Sequence, residues 1–131
     1  MREILFRGKR VDNGEWVYSS FIMQDKEHKL LLAEVELFDG EKWRAVDPET
    51  VGQFIGLTDK NGKKIFEGDI IKDNGLRIYM IGYNEELMKY AFLYYHKELK
   101  NIYCGGFVSK TDGKSIEVIG NIHDNPELLE D

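Results

Sequence analysis

The sequence lacks the features that mark several large classes of protein. Cys104 is the only cysteine among 131 residues, so neither an intramolecular disulfide nor a metal site of several thiolates can form. No apolar run approaches the roughly 20 residues that a membrane helix needs. Near the start, Ile4, Leu5 and Phe6 form an apolar run that is too short for the core of a secretory signal. These absences predict a cytoplasmic protein with no membrane partner.

The sequence also has fewer basic than acidic residues. The formal net charge is −6, and the tail from Glu117 onward carries five acidic residues and no Lys or Arg. A nonspecific nucleic-acid binder needs a basic surface to neutralise phosphates, so the acidic balance disfavours that class. The composition, with 42% hydrophobic and 32% charged residues, is typical of a globular protein. The length predicts one domain over residues 1–131, with 1–50 and 51–131 as its sub-structures.

Patterns that carry catalysis or metal binding are missing as well. His28, His96 and His123 lie far apart, with neither the i, i+4 spacing nor the HExxH pattern of metal ligands on one helix. No nucleophile motif such as GxSxG accompanies them. The sequence therefore predicts a protein that is not an enzyme and that uses no metal or cofactor. The alternative is a small-ligand or catalytic site near Glu67 and Asp69, with His123 as a third group.

The densest polar stretch is GLTDKNGKKIFEGDII, residues Gly56–Ile71. As a calcium loop it fails, because Lys63 and Lys64 stand where a ligand and a glycine are required. Ile70 also replaces the glutamate that would bind the ion through both oxygens. The stretch lacks the glycine spacing of a nucleotide phosphate loop too. It is therefore interpreted as structural turns.

Two turns account for the glycines of this stretch. Asn61-Gly62 is a strong signal for a tight hairpin turn, and Gly68 is expected to supply a positive φ before a strand. Asp69 is expected to accept backbone N–H groups in the second turn. In the alternative interpretation, Glu67 and Asp69 face a cleft and bind a partner or ligand.

Short apolar runs separated by turn residues predict a mainly β fold, a small barrel or roll built from hairpins with little helix. The sequence predicts three hairpins: Ile4–Phe6 with Glu15–Met23, Leu30–Phe38 with Lys42–Val46 across Asp39-Gly40, and a third around Asp112-Gly113. Asp47-Pro48 predicts a turn followed by a strand, because proline pushes its predecessor into an extended conformation. A further strand is expected within Gly75–Tyr83.

Three segments leave alternatives open. The apolar positions of Leu30–Phe38 also fit a short helix. In NEELMKYAFLYYHKEL, Asn84 caps either a helix or a turn that leads into a strand, and the turn followed by a strand is favoured. The closing DNPELLED is interpreted as a short turn or helix held by Leu128 and Leu129.

Aromatic residues are concentrated between positions 79 and 95. The group comprises Tyr79, Tyr83, Tyr90, Phe92, Tyr94 and Tyr95. Side chains alternate between the two faces of a strand, so about half of these rings should face a core. A cluster left exposed on one face would indicate a partner site, because aromatic residues are enriched at interfaces. The predicted candidate binding surface consists of Glu67, Asp69, Tyr90 and Tyr94.

Four segments resemble, in order, the YopX family of small phage and prophage proteins: FRGKR, GEWVYSSFI, TVGQFIGLTDKNGKKIFEGDII and EVIGNIHDNPELL. The resemblance spans nearly the whole chain, although Leu76 to Lys110 carries little of the pattern. Ser19-Ser20 and Phe54-Ile55 depart from it without changing a reactive group. The resemblance implies a phage or prophage origin in a low-GC Gram-positive host, an SH3-type barrel in the C-terminal part, and oligomerisation. It brings no established activity and no catalytic residues.

Three functions remain as hypotheses. The leading one is a noncatalytic module that binds a host or phage protein, because the chain is small, β-rich and acidic. The second is a small β-barrel that binds nucleic acid through Lys60, Lys63, Lys64 and Lys72. The third is the small-ligand or enzymatic site near Glu67 and Asp69. Assembly of the chain with itself through an exposed strand edge is a further route.

Overall fold

The structure, a computed structural model, describes residues 3–36 and 40–129. Twelve strands run through these ranges: β1 (Phe6–Lys9), β2 (Trp16–Ser19), β3 (Ile22–Gln24), β4 (Leu30–Glu36), β5 (Gly40–Val46), β6 (Gly52–Thr58), β7 (Lys64–Phe66), β8 (Asp69–Asp73), β9 (Ile78–Asn84), β10 (Lys89–His96), β11 (Asn101–Phe107) and β12 (Ile116–Asn121). Helical structure is limited there to the 3-10 segments Pro48–Thr50, Asp112–Ser115 and Pro126–Leu129. The predicted mainly β, roll-like fold is confirmed.

The strands form three sheets, with orders β2-β1-β6-β7, β3-β4-β5 and β11-β10-β9-β8-β12. The chain divides into two compact units, Met1–Phe54 and Ile55–Asp131. Among the described residues, no helical segment has the length and apolar character that crossing a membrane would require.

In the first unit, β1 and β2 form the expected first hairpin, with Phe6 opposite Ser19 and Lys9 opposite Trp16. The predicted bounds need two corrections. The first strand begins at Phe6 rather than at Ile4, and Glu15–Met23 is not one strand. It breaks after Ser19, whose Oγ accepts the N–H of Phe21 at 3.0 Å, and the chain continues into β3 in another sheet.

The second hairpin, β4 with β5, is confirmed, and Leu30–Glu36 is a strand rather than a helix. Leu37, Phe38 and Asp39 of the predicted hairpin lie outside the described residues. Because side chains alternate across a strand, one face of the three-stranded sheet lies over the core of this unit. That core contains Val17, Leu32 and Val46, packed against Phe6, Ile22, Leu30 and Val51.

In the second unit, β8, β9, β10 and β11 follow one another as an antiparallel meander, with β12 beside β8. Its core contains Ile55, Ile65, Ile71, Ile81, Ile116 and Val118. The segment after Asn84 is a turn followed by β10, as favoured, and Asn84 Oδ1 accepts the N–H of Leu87 at 3.0 Å. The terminal segment forms the 3-10 turn Pro126–Leu129, as expected.

The third predicted hairpin is wrong. β11 and β12 flank Asp112-Gly113 in sequence but occupy opposite edges of the five-stranded sheet. Asp112–Ser115 is a 3-10 segment, and Gly113 is buried within it. A Cβ on Gly113 would collide with the carbonyl oxygen of Thr58. Glycine is therefore required for close approach of two backbones, whereas the sequence suggested a two-residue hairpin turn.

Three hairpins have the same type of five-residue loop, which occurs at Asp25–Lys29, Asp59–Lys63 and Asp73–Arg77. In each loop the first N–H donates to the fifth carbonyl, at 3.0, 2.7 and 2.9 Å respectively. The aspartate Oδ1 accepts the fifth N–H at 2.9, 2.9 and 2.8 Å. The fourth residue has a positive φ: 66° at His28, 83° at Gly62 and 65° at Leu76. The same hydrogen bonds and the same positive φ thus form three of the connections between strands.

Candidate functional site

The carboxylate of Asp59 is occupied by backbone groups. It is 6% exposed, and its Oδ1 accepts the N–H groups of Asn61 and Lys63, each at 2.9 Å. Its Oδ2 accepts the N–H of Val118 at 2.9 Å, which ties the turn to β12. Burial raises the pKa of this carboxyl, but the N–H bonds from Val118, Lys63 and Asn61 outweigh burial and hold the pKa below its ordinary value. Asp59 is a structural acceptor.

The second turn of the polar stretch also serves the backbone. Gly68 has φ 88°, as predicted, and its carbonyl accepts the N–H of Ile122 at 2.9 Å. Asp69 is 1% exposed, and its Oδ2 accepts the N–H of Phe66 at 2.8 Å, which confirms the expected turn bond. Glu67 is half-buried beside it. The geometry gives Asp69 a structural role, and a binding role for this pair stays a prediction.

The two predicted tyrosines lie on the same strand, β10, within one row of aromatic rings. Tyr90 packs against the core of the second unit and meets Tyr83 edge-on, with ring centroids 5.2 Å apart. Tyr94 is half-buried, 6.3 Å from Tyr79 and 6.0 Å from Tyr103 between ring centroids. Most of this row therefore stabilises the sheet, and Tyr94 alone of the four predicted surface residues lines a cavity.

The residues next to His123 pair with the Glu67–Asp69 turn, since Asn121 lies opposite Asp69 and the N–H of Ile122 donates to the carbonyl of Gly68. Within residues 3–36 and 40–129, no group of three or more His, Cys, Asp or Glu is placed to hold a metal ion. His96 Nδ1 accepts the N–H of Leu99 at 3.2 Å, so this imidazole caps the turn between β10 and β11. Of the predicted basic residues, Lys60 lies 3.7 Å from the carboxylate of Glu117, which offsets part of its charge.

An apolar surface that the sequence analysis missed lies on the three-stranded sheet of the first unit. Ala33 pairs with Trp43, and the N–H of Ala33 donates to the carbonyl of Phe21 at 3.2 Å. Leu31 lies in register with Met23 on one side and with Ala45 on the other. These pairings place six apolar residues on the sheet face opposite the core. This outer face consists of Phe21, Met23, Leu31, Ala33, Trp43 and Ala45.

The largest side chains of the outer face reach solvent. Phe21 is 58% exposed, Met23 41% and Trp43 39%. An antiparallel sheet with one buried face normally carries polar residues on the other. The signal for the exception was available in the sequence: Leu30 to Ala33 are four consecutive apolar residues, which at period two must supply both faces.

Comparisons with known proteins agree with this architecture. A family model described as YopX protein matches residues 5–130. The crystal structure of protein EF1440 from Enterococcus faecalis is similar, with a TM-score of 0.52 and 21% sequence identity. The similarity covers 98% of this chain and 99% of that one, and at this identity it supports the fold alone. No curated protein matches the sequence. Since the family model covers nearly the whole chain, the protein belongs to the YopX family.

Proposed function

We propose that the protein is a noncatalytic binding module and that its outer face docks a partner protein. The observation that carries the proposal is the apolar array of that face, in which Phe21, Met23 and Trp43 are exposed to solvent. An exposed contiguous apolar patch is costly in water, and in soluble proteins it marks an interaction site.

The residue types of the outer face suit the centre of an interface. Aromatic residues and methionine are enriched there, and a few large side chains carry most of the binding energy. Phe21 and Trp43 lie on either side of the small, buried Ala33, so the exposed surfaces of both rings are available to a partner side chain. The expected partner therefore presents an apolar anchor, such as a leucine or an aromatic side chain.

Asp69, one of the acids of the alternative catalytic site, is poorly placed for acid–base chemistry. It is 1% exposed, and its Oδ2 accepts the N–H of Phe66. A general acid or base must reach the proton that it transfers. The protein is accordingly proposed to act by binding, without chemistry of its own.

Site-specific photocrosslinking tests the proposal. Trp43, or in a second protein Phe21, is replaced by p-benzoylphenylalanine, and the protein is irradiated in untreated and in nuclease-treated lysate of a Gram-positive host. Tyr18 carries the same probe in a control, because it is exposed to a similar extent on another sheet. We expect one protein to crosslink at positions 43 and 21 and not at position 18.

The binding must then be reproduced with the purified partner. We expect Phe21→Ser and Trp43→Ser each to weaken binding by about tenfold or more, the loss typical of an interface anchor. Crosslinks that disappear after nuclease treatment would favour the nucleic-acid alternative. Crosslinks of the chain to itself would indicate self-assembly, and equal crosslinking at position 18 would refute a role for the outer face.

A further inference from the structure

The second unit contains an apolar cavity that the proposed function does not use. Its volume is about 260 Å³, and it lies where the β9–β10–β11 part of the sheet meets the terminal 3-10 turn. The strands contribute Met80, Leu93, Tyr94, Tyr95 and Ile102, and the turn contributes Pro126 and Leu129. The tyrosine hydroxyls are the only strongly polar groups among these side chains.

The sheet wall of the cavity is set by strand register. Leu93 pairs with Met80, and Tyr95 pairs with Ile102, so all four side chains lie on one face. Gly82 makes room for this arrangement, because a Cβ there would lie 2.5 Å from Cδ1 of Leu93. The wall is therefore built by backbone pairing and does not depend on a bound molecule.

The opposite wall is held by two asparagines. The N–H of Asn125 donates to the carbonyl of Asn121 at 2.8 Å, and Asn125 Oδ1 accepts the N–H of Asn121 at 3.3 Å. A Cβ on Gly120 would lie 2.6 Å from Asn125 Oδ1, so glycine lets this side chain approach the strand. These contacts fix the start of the turn that carries Pro126 and Leu129.

We propose that this cavity binds a small uncharged aromatic molecule of one or two fused rings. An apolar cavity of about 150 Å³ accommodates benzene, so about 260 Å³ has room for a bicyclic ring such as indole. The apolar lining disfavours a charged ligand, because no lining side chain offers a compensating charge. Tyr95, which shares a face with Leu93, supplies a ring and a hydroxyl group, which suit a planar ligand with one hydrogen-bonding substituent.

Titration of the full chain with indole, followed by methyl NMR, tests the proposal. We expect shifts of the Met80, Leu93 and Ile102 methyl signals, with a dissociation constant on the order of 1 mM or tighter. Indole-3-sulfonate serves as a charged ligand of similar shape and should bind much more weakly. Absence of shifts at these methyls, or equal binding of the charged ligand, would overturn the proposal.

Two variants that fill the cavity test whether indole binds there. Ile102→Trp and Leu129→Phe occupy the cavity from opposite walls and should weaken indole binding by about tenfold or more, through steric exclusion. Leu87→Trp is the matched control, since Leu87 is exposed like Ile102 but does not line the cavity. Unchanged affinity in a folded filling variant would refute the site.

A short peptide, acetyl-Ala-Trp-Ala-amide, distinguishes binding of a free small molecule from binding of a side chain of a partner protein. We expect the peptide to bind no better than indole, because about 260 Å³ has room for the bicyclic ring alone. Binding of the peptide more than about tenfold tighter, a gain that backbone contacts would explain, would replace the small molecule by a peptide partner. These ligands address the second unit only, so their outcome is independent of the crosslinking at Trp43.

Discussion

Asp59 and Asp25 occupy the same position in two copies of the five-residue turn and differ in one long-range hydrogen bond. Both accept N–H groups from the third and fifth residues of their turns. Asp59 also accepts the N–H of Val118, which lies 59 residues away. At the scale of single residues, the same side chain is a local turn former in one place and a tertiary link in the other.

Replacement of the two aspartates should separate these roles. An asparagine has one acceptor oxygen, so in Asp59→Asn the amide NH₂ faces a backbone donor that is left unsatisfied. We expect a loss of about 1–3 kcal/mol in the free energy of unfolding, measured by urea denaturation. Asp25→Asn, the control, should cost less than about 1 kcal/mol. Equal losses would show that the bond to Val118 contributes little.

The lowered pKa of Asp59 predicts a pH dependence of stability. Because the pKa is lower in the folded than in the unfolded protein, the ionised carboxylate stabilises the fold above the unfolded-state pKa. That contribution is lost as the pH falls through the ordinary aspartate range towards the folded-state pKa. The stability difference between the wild type and Asp59→Asn should therefore shrink on acidification, as urea midpoints at several pH values would show. A constant difference would contradict this assignment.

At the scale of elements, turns and close approaches place different demands on glycine. Gly62 has φ 83°, and a Cβ there would meet nothing within 4 Å. Gly113 is buried, and a Cβ there would collide with the backbone of Thr58. Gly62 is required for its positive φ, whereas Gly113 is required because there is no room for a side chain.

Alanine substitutions measure that difference. We expect Gly62→Ala to cost about 1–2 kcal/mol, the price of a left-handed conformation for a residue with a Cβ. Gly113→Ala should cost about 3 kcal/mol or more, because a backbone oxygen cannot move aside as a side chain can. Urea midpoints of the two variants provide the comparison. A larger loss for Gly62→Ala would mean that the Asp112–Ser115 segment adapts easily.

At the scale of the whole molecule, the acidic charge and the outer face act against each other. The net charge of −6 at pH 7 keeps copies of the chain apart, whereas exposed Phe21 and Trp43 favour association. Repulsion vanishes near the isoelectric point of about 5.1, and the apolar attraction then acts unopposed.

Light scattering should therefore rise as the pH approaches 5.1. We expect the double variant Phe21→Ser/Trp43→Ser to scatter less than the wild type at that pH, because the apolar contact is removed while the charge is unchanged. Tyr18→Ser removes an exposed aromatic of another sheet and should leave the scattering unchanged. A reduction in that control equal to that in the double variant would point to general surface hydrophobicity instead of the outer face.

Much of the local structure could be predicted because its causes lie within a few residues. Gly62 and Gly68 take positive φ values, and Leu30–Glu36 and Lys89–His96 are strands. The five-residue loop was missed, although a signal for it exists in the spacing of aspartate and a basic residue four positions later. Of the candidate surface, Asp69 was expected in a turn and is found there.

Strand pairing across the chain was beyond the reach of sequence patterns. Asp112-Gly113 has the composition of a hairpin turn, but β12 pairs with β8 and β11 with β10. Turn chemistry is local, whereas the choice between edges of a sheet depends on which apolar faces can share a core. The bond from Asp59 to Val118 and the room left by Gly113 exist only once that choice is made.

The sequence by itself determined the mainly β fold, the turn glycines, the absence of a disulfide and the family, since each follows from residue types and short spacings. Only the tertiary structure decided which face of each sheet meets a core. It thereby placed Phe21 and Trp43 at the surface, buried Asp59 and Asp69, and left a cavity beside Tyr94. The physical reason is that alternation divides a strand between two faces, and packing alone selects the face that is covered.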